Sequence, residues 1–457
     1  MEHHPTSSSS SSSHPLPTPP HLELFGGSGL EEGTWSYEGK KILAPMVRAG
    51  TLPLRVLSRK YGADMVYSEE IIDHSILAST RVENKQHQTI DFLPTKQISK
   101  KQRRKMAATT QPENRSKFRT YIGEPVVFQM GTNDAIRALR AAQVVAKDVR
   151  AIDVNMGCPK HFSVHAGMGA GLLSSPETVK DILSTLVRNL SIPVTCKIRL
   201  LDDEKDTLNL LKVIEGCGVA AVGIHARNVH DRPRHPAMLQ KLKPLVSSMS
   251  IPVIHNGDIF RYEEFDWAKK ETGCASVMAA RGALWNCSIF RPEGLLPVYQ
   301  VAKEYINIAE RYSNPFKNTK YMVTTMLIAQ IPKSPACREA QTAKDMKILS
   351  EALERCRVEP SVGDPRHYQL GVKFISREED LETIDRNRRK HLRSLKEGLA
   401  RLQEARKRIL EETKHEKATL ETSEMNQQSD PSINENPNRH GSTPKYCHSL
   451  EKKRKVT

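Results

Sequence analysis

Eight short apolar runs, each followed by a helix-type pattern, recur between residues 42 and 280, and few folds accommodate that repetition. The runs are "ILAPM" (42–46), "MVYSE" (65–69), "VVFQM" (126–130), "IDVN" (152–155), "VTCKI" (194–198), "AVGIHA" (221–226), "PVIHNGD" (252–258) and "SVMAA" (276–280). They are apolar on both faces, as strands are when a core lies on one side and helices on the other. Between them, "SSPETVKDILSTLVRNL" offers a Ser cap, a Pro in the first turn and apolar residues at helical spacing, and "KDTLNLLKVIEGCG" ends on glycine. Eight such alternations fit an α/β fold of the (β/α)8 TIM-barrel type better than a doubly wound sheet.

The flanks divide the rest. Residues 1–38 form a Ser/Pro-rich leader with the composition of disordered chain, and the barrel is expected over 39–295. A small C-terminal helical domain is expected over 296–375, then a charged helix over 376–418 with Leu392, Leu395, Leu399, Leu402 and Ile409 on one stripe. A polar tail, 419–457, ends in "KKRKV", a cluster of the kind read for nuclear import. An insertion at 96–119 carries nine Lys/Arg against one Glu, and the chain as a whole carries a formal charge of +16. That balance favours an anionic partner, with nucleic acid ahead of a membrane surface or an acidic protein.

The eight cysteines contain no C-x2-4-C pair, which argues against a zinc ribbon or other structural metal and for reduced thiols. No run of about 18 apolar residues occurs, and the N-terminus lacks an apolar signal core. A soluble, non-secreted protein of the cytoplasm, the nucleus or both is expected, acting as a monomer.

In such a barrel the working face lies at the C-terminal ends of the strands. The first strand presents Pro45 and Met46 there, the second Glu69 and Glu70, the third Gln129 and the fourth Asn155. The fifth gives Lys197 and Arg199, the sixth His225 and Arg227, the seventh Asn256, Gly257 and Asp258, the eighth Arg281 and Gly282. One polar residue at a strand end is commonly a packing residue; polar residues at nearly all eight imply a site. Glycines after the last two strands suit backbone approach to a phosphate, with Arg281 adding charge. Lys197 has two readings: a Schiff-base amine, as in aldolase-type barrels, or a cation at a flavin's pyrimidine edge. Gln129, an amide suited to a ring edge, leans toward the flavin.

Cys158 follows the fourth strand between Gly157 and Pro159, on a loop free to move and to reach over a bound ring. Cys196 and Cys274 lie in or beside apolar strands and read as small buried hydrophobes. Cys158 has no such setting. Its spacing leaves open whether it donates a proton or attacks as a thiolate.

Taken together, "LAPM" (43–46), "NMGCPK" (155–160), "GMGAGLL" (167–173), "KIR" (197–199), "HAR" (225–227), "NGD" (256–258) and "ARGA" (280–283) resemble the successive signatures of the tRNA-dihydrouridine synthases. "APMVRAGTLPLR", "YSEE", "FQMG" and "DVNMGCPK" are most similar to the eukaryotic class that reduces the D-loop uridine at position 20. The resemblance runs from about 41 to 345. It implies an FMN-bearing barrel followed by a helical domain, with NADPH (or NADH) as reductant and tRNA as partner. Hydride would pass to C6 of a flipped uracil, and Cys158 would protonate C5 as general acid. FMN would be held by Pro45, Met46, Val47, Glu70, Gln129, Lys197, His225, Asn256, Gly257, Asp258, Ala280 and Arg281. The substrate would meet Asn155, Arg199, Arg227 and His165.

Two departures from the family pattern stand out. His165 occupies a place where related enzymes usually carry lysine, and no pattern of a double-stranded-RNA-binding domain follows the helical region. The basic insertion and the charged helix are expected to supply that affinity instead. The competing readings are a dihydroorotate-type FMN oxidoreductase of free pyrimidines, an aldolase-type lyase using Lys197, and a non-catalytic RNA-binding protein on a decayed barrel. The first two leave the basic segments or Cys158 without a role.

Overall fold

The computed structural model of the chain describes residues 35–95 and 116–354. Its strands, in chain order, are β1 (Lys41–Leu43), β2 (Met65–Tyr67), β3 (Ile71–Ile72), β4 (Ser79–Asn84), β5 (Thr89–Pro94), β6 (Phe118–Tyr121), β7 (Val126–Gly131), β8 (Ala151–Met156), β9 (Val194–Leu200), β10 (Ala221–Asn228), β11 (Val253–Asn256) and β12 (Ser276–Ala279). β1, β2 and β7 to β12 pair in parallel with their neighbours, and β1 with β12 closes the ring. These are the eight runs read from the sequence, and the fold is a TIM barrel.

Side chains alternate along each strand, so one set fills the barrel and the other meets the helices. The inner set includes Ile42, Met65, Tyr67, Val127, Ala151, Ile254 and Met278. The outer set forms the larger core beneath helices such as Pro176–Asn189 and Glu204–Gly216. Ser175 stands at the cap of the first of these but its hydroxyl accepts no cap bond; Pro176 starts that helix. Asp203 caps the second by accepting from the Lys205 N–H.

The link between β2 and β7 differs from the sequence expectation. β4, β5 and β6 form an antiparallel sheet, and Arg119, counted within the basic insertion, is buried in β6. Asp91 lies opposite it in register and pairs with its guanidinium, so this charge is neutralised inside the protein. Arg119 therefore belongs to the folded sheet and not to a basic loop. The leader also ends earlier than 38: Tyr37 is buried against the inner core with Trp35 beside it, and its carbonyl accepts from Ser276 Oγ. Two aromatics in a polar leader bury more surface than the composition suggested.

After the barrel come helices Val298–Arg311, Phe316–Gln330, Pro335–Thr342 and Met346–Glu354, the first packed on Leu52–Lys60. The expected domain over 296–375 thus begins as helices. Most of the leader, residues 96–115, the charged helix at 376–418 and the tail with "KKRKV" lie outside the described residues. Among the described residues no helix is long and apolar enough to cross a membrane.

Candidate active site

Register brings the inward-facing polar residues together. Gln129 on β7 lies beside Asp153 on β8, Asp153 beside Thr195 on β9, Asn155 beside Lys197, and His225 on β10 beside Arg199. A period of two along β8 thus places Asp153 one layer below Asn155. Asp153 is 1% exposed and accepts from Gln129 Nε2 at 2.8 Å and from Thr195 Oγ1 at 2.7 Å. Burial pushes its carboxyl up to about 6, against which the two hydrogen bonds work. Asp153 is not among the strand-end residues that the sequence marks. Its signal was a lone acid in the apolar strand "AIDVN".

Lys197 has no hydrogen bond or ion pair among the described residues. Burial, with the neighbouring Arg199 second, lowers its amine to about 7 against the opposing pull of Asp153. Arg227 Nη1 lies 3.0 Å from His225 Nε2. A guanidinium only donates, so Nε2 is the acceptor, the ring is neutral and its N–H sits on Nδ1. Burial, with Lys197 next, holds this imidazole well below its ordinary pKa.

The amine of Lys197 gives a testable sign. An unfolded lysine titrates near 10.4, this one near 7. Between those values the unfolded chain binds more protons, so stability rises with pH across that window and the charged form is a net cost below it. Lys197→Met should raise the melting temperature of ligand-free protein at pH 7 and flatten its climb from pH 7 to 10. A variant that keeps the wild-type slope would contradict the assignment.

Cys158 is partly exposed, whereas the other described cysteines, at 196, 217, 274, 287 and 337, are buried. The loop expected from the Gly and Pro beside it is held by backbone hydrogen bonds on both sides of the thiol. Asn155 Oδ1 accepts from the N–H groups of Gly157 and Cys158 at 3.0 and 3.1 Å. The Cys158 carbonyl accepts from Ala170 N, and the Gly157 carbonyl from Arg199 Nε at 2.9 Å. Gly169 explains part of the "GMGAGLL" motif: at φ +57° a Cβ there would lie 2.9 Å from Cys158 Cβ. Gly169→Val should displace the thiol and cost most of the activity without emptying the cofactor site.

Of the four expected substrate contacts, three are engaged inside the protein. Asn155 makes the turn just described, Arg199 also donates to the Asn228 carbonyl, and Arg227 is 2% exposed. Arg227 gives Nε to the His235 carbonyl and Nη2 to both oxygens of Asp258. These residues brace the mouth. His165 is exposed on the short helix His161–His165, stacked on His161 with ring centroids 5.6 Å apart.

At the opposite side of the mouth Asp258 also binds Arg281 Nη2, so one carboxylate faces two guanidiniums and the cluster keeps net positive charge. Gly257, at φ +152°, would place a Cβ 2.8 Å from that of Ala237. Asn256 donates to the Met278 carbonyl and ties β11 to β12. Ala280 caps the turn that carries Arg281. After β1, Pro45 and Met46 are half-buried and Val47 is 42% exposed. Next to them Arg48, at φ +68°, lies over the Tyr321 ring at 4.1 Å, and Asn318 Nδ2 donates to its carbonyl. A non-glycine residue in the left-handed region is uncommon, and no sequence pattern marked it.

An FMN fits these residues by their chemistry. Glu70 Oε1 is buried without a partner, its carboxyl pushed up to about 7 by burial, and a Cβ on Gly131 would fill the space beside it. An unpaired acid, an unpaired amine and the Nδ1–H of His225 offer donors and acceptors to a heteroaromatic ring, and the Arg227–Asp258–Arg281 cluster offers charge to a phosphate. A neutral amine at Lys197 would equally suit Schiff-base chemistry, so the geometry alone keeps both readings.

Comparison with known proteins gives the family. At 37% identity over 334 residues the chain is similar to the tRNA-dihydrouridine(20) synthase [NAD(P)+] of Schizosaccharomyces pombe, an alignment covering 70% of this chain and 66% of that protein, just under two thirds of its length. The Saccharomyces cerevisiae enzyme of the same name is 35% identical over 64% of this chain and 78% of its own length. A human tRNA-dihydrouridine(20a/20b) synthase-like protein is 30% identical over 60% and 78%. The family model described as dihydrouridine synthase (Dus) matches residues 42–347, which run from within β1 through the barrel and Cys158 to the start of helix Met346–Glu354; the chain belongs to the dihydrouridine synthase family.

Proposed function

We propose that this chain reduces a uridine of the tRNA D-loop, at position 20, to dihydrouridine, using FMN and NADPH or NADH. The observation that carries the reading is Cys158, the one described cysteine that is not buried, fixed by its backbone beside Asn155 and Arg199 at the barrel mouth. FMN held by the residues at the barrel mouth would supply the hydride that C6 of the uracil receives, with the nicotinamide as source of the electrons. The Sγ of Cys158 holds the proton that C5 then receives, and the resulting thiolate is reprotonated from water, so that one uridine, one NADPH and one proton give dihydrouridine and NADP+.

The other residues bind and orient. Met46, Val47, Gln129, Lys197 and His225 would line the ring; Gly257, Asp258, Ala280 and Arg281 would hold the phosphate. An ammonium on Lys197, which makes no ion pair among the described residues, would lie at the ring's pyrimidine edge. Arg48, exposed where the barrel meets helix Phe316–Gln330, joins the residues available to tRNA phosphates. The test is NADPH oxidation with undermodified tRNA, followed by mass-spectrometric mapping of dihydrouridine, with free uracil and orotate as rival acceptors. Product at position 20 is expected; turnover of a free pyrimidine without tRNA would overturn the reading.

A further inference from the structure

Two amides in the site, the buried Gln129 and the half-buried Asn155, have their orientation dictated by their partners. Asp153 lies in the barrel interior, and Gln129 gives its Nε2 to that carboxylate at 2.8 Å. The Oε1 of Gln129 therefore faces the other way, where Asn155 Nδ2 donates to it at 3.3 Å. That donation turns Asn155 Oδ1 toward the backbone N–H groups of Gly157 and Cys158. Each amide has one donor end and one acceptor end, so reversing any link sets donor against donor or acceptor against acceptor elsewhere. Thr195 Oγ1 holds the second carboxylate oxygen and keeps Asp153 from turning.

We infer that Asp153 is a positioning residue: through the single polarity of the chain Asp153–Gln129–Asn155 it sets both the amide edge that Gln129 presents to the site and the place of the Cys158 backbone. The inference rests on the proposed role of Cys158 as proton donor. A buried carboxylate costs stability compared with an apolar residue, and a chain that fixes two amides gives it a use. An asparagine in place of Asp153 has the same shape but offers either a donor or an acceptor, so it no longer dictates which way Gln129 points. Adding Gln129→Glu to Asp153→Asn restores the order. The carboxylate then replacing the Gln129 amide accepts from the new amide through one oxygen and from Asn155 through the other.

The test compares wild type, Asp153→Asn, and the double variant Asp153→Asn/Gln129→Glu as full-length proteins. The rate of Cys158 alkylation by iodoacetamide, located by peptide mass spectrometry without tRNA, should rise in Asp153→Asn by about two- to tenfold, the worth of one neutral hydrogen bond. Its kcat for dihydrouridine formation should fall by a similar factor while KM for tRNA stays within about twofold. The double variant should bring the alkylation rate back toward wild type, which a merely structural loss would not do. Unchanged alkylation in Asp153→Asn, or a double variant further from wild type than the single, overturns the inference. If Asp153→Asn does not fold, Asn155→Asp tests the last link: it accepts from the same backbone groups but cannot donate to Gln129, so alkylation should again rise, and an unchanged rate is a refutation. Full activity of Cys158→Ala would instead remove the proposed function, a separate result.

Discussion

Cys158→Ala is expected to lower dihydrouridine formation by about two to four orders of magnitude, the usual worth of a positioned proton donor. The loss should fall on the step that delivers the proton, so NADPH-dependent bleaching of the flavin absorbance should persist and FMN content should match wild type. The geometry makes the expectation specific. Asn155, Arg199 and Ala170 hold the peptide groups on both sides of this residue, and none of those contacts involves the thiol, so alanine leaves the loop in place. Cys158→Ser, a much weaker acid at the same position, should fall between the two. Mass spectrometry of product tRNA from matched reactions decides the matter, and equal yields from wild type and alanine variant would sink the acid assignment.

Arg55→Met is expected to destabilise the protein by about 3–5 kcal/mol, because it strands a buried carboxylate. Arg55 and Glu124 have side chains only 2% and 0% exposed and are joined at 2.7 Å. The same guanidinium donates to the carbonyls of Gly50 and Arg119, and Glu124 also accepts from Thr120 Oγ1. One buried cation thereby ties the β1 loop, helix Leu52–Lys60 and strand β6 together. The urea midpoint should drop with an unchanged slope, and Arg55→Met/Glu124→Leu should recover part of the loss, since removing both charges removes the desolvation cost as well. A single variant as stable as wild type would mean that the carboxylate finds water or a proton at little cost.

These two residues also mark where sequence reading succeeds and fails. Cys158 stood out because Gly157 and Pro159 give a thiol no core to join, a local property visible in three residues. Arg55 and Arg119 did not stand out, because a buried arginine differs from an exposed one only in what lies across from it. Asp91 sits on another strand, and Glu124 is 69 positions away from Arg55. The same holds for Arg227 and Arg199, whose donors are taken up by loops that converge only in the closed barrel.

The sequence by itself determined the barrel, its eight strands, the helices that follow and the polar ring at the mouth. Those follow from short continuous apolar runs, the polar residues that end them and helical spacing between them, which is short-range information carried by neighbouring residues. Tertiary structure alone decided which polar groups remain available and which are consumed: that Lys197 and Glu70 Oε1 have no hydrogen-bond partner among the described residues, that Asn155 and Arg227 brace rather than project, that hydrogen bonds hold the backbone at Cys158, and that Asp153 stands behind Gln129. A hydrogen-bond partner is chosen by strand register and loop closure, and both are settled only when distant segments meet.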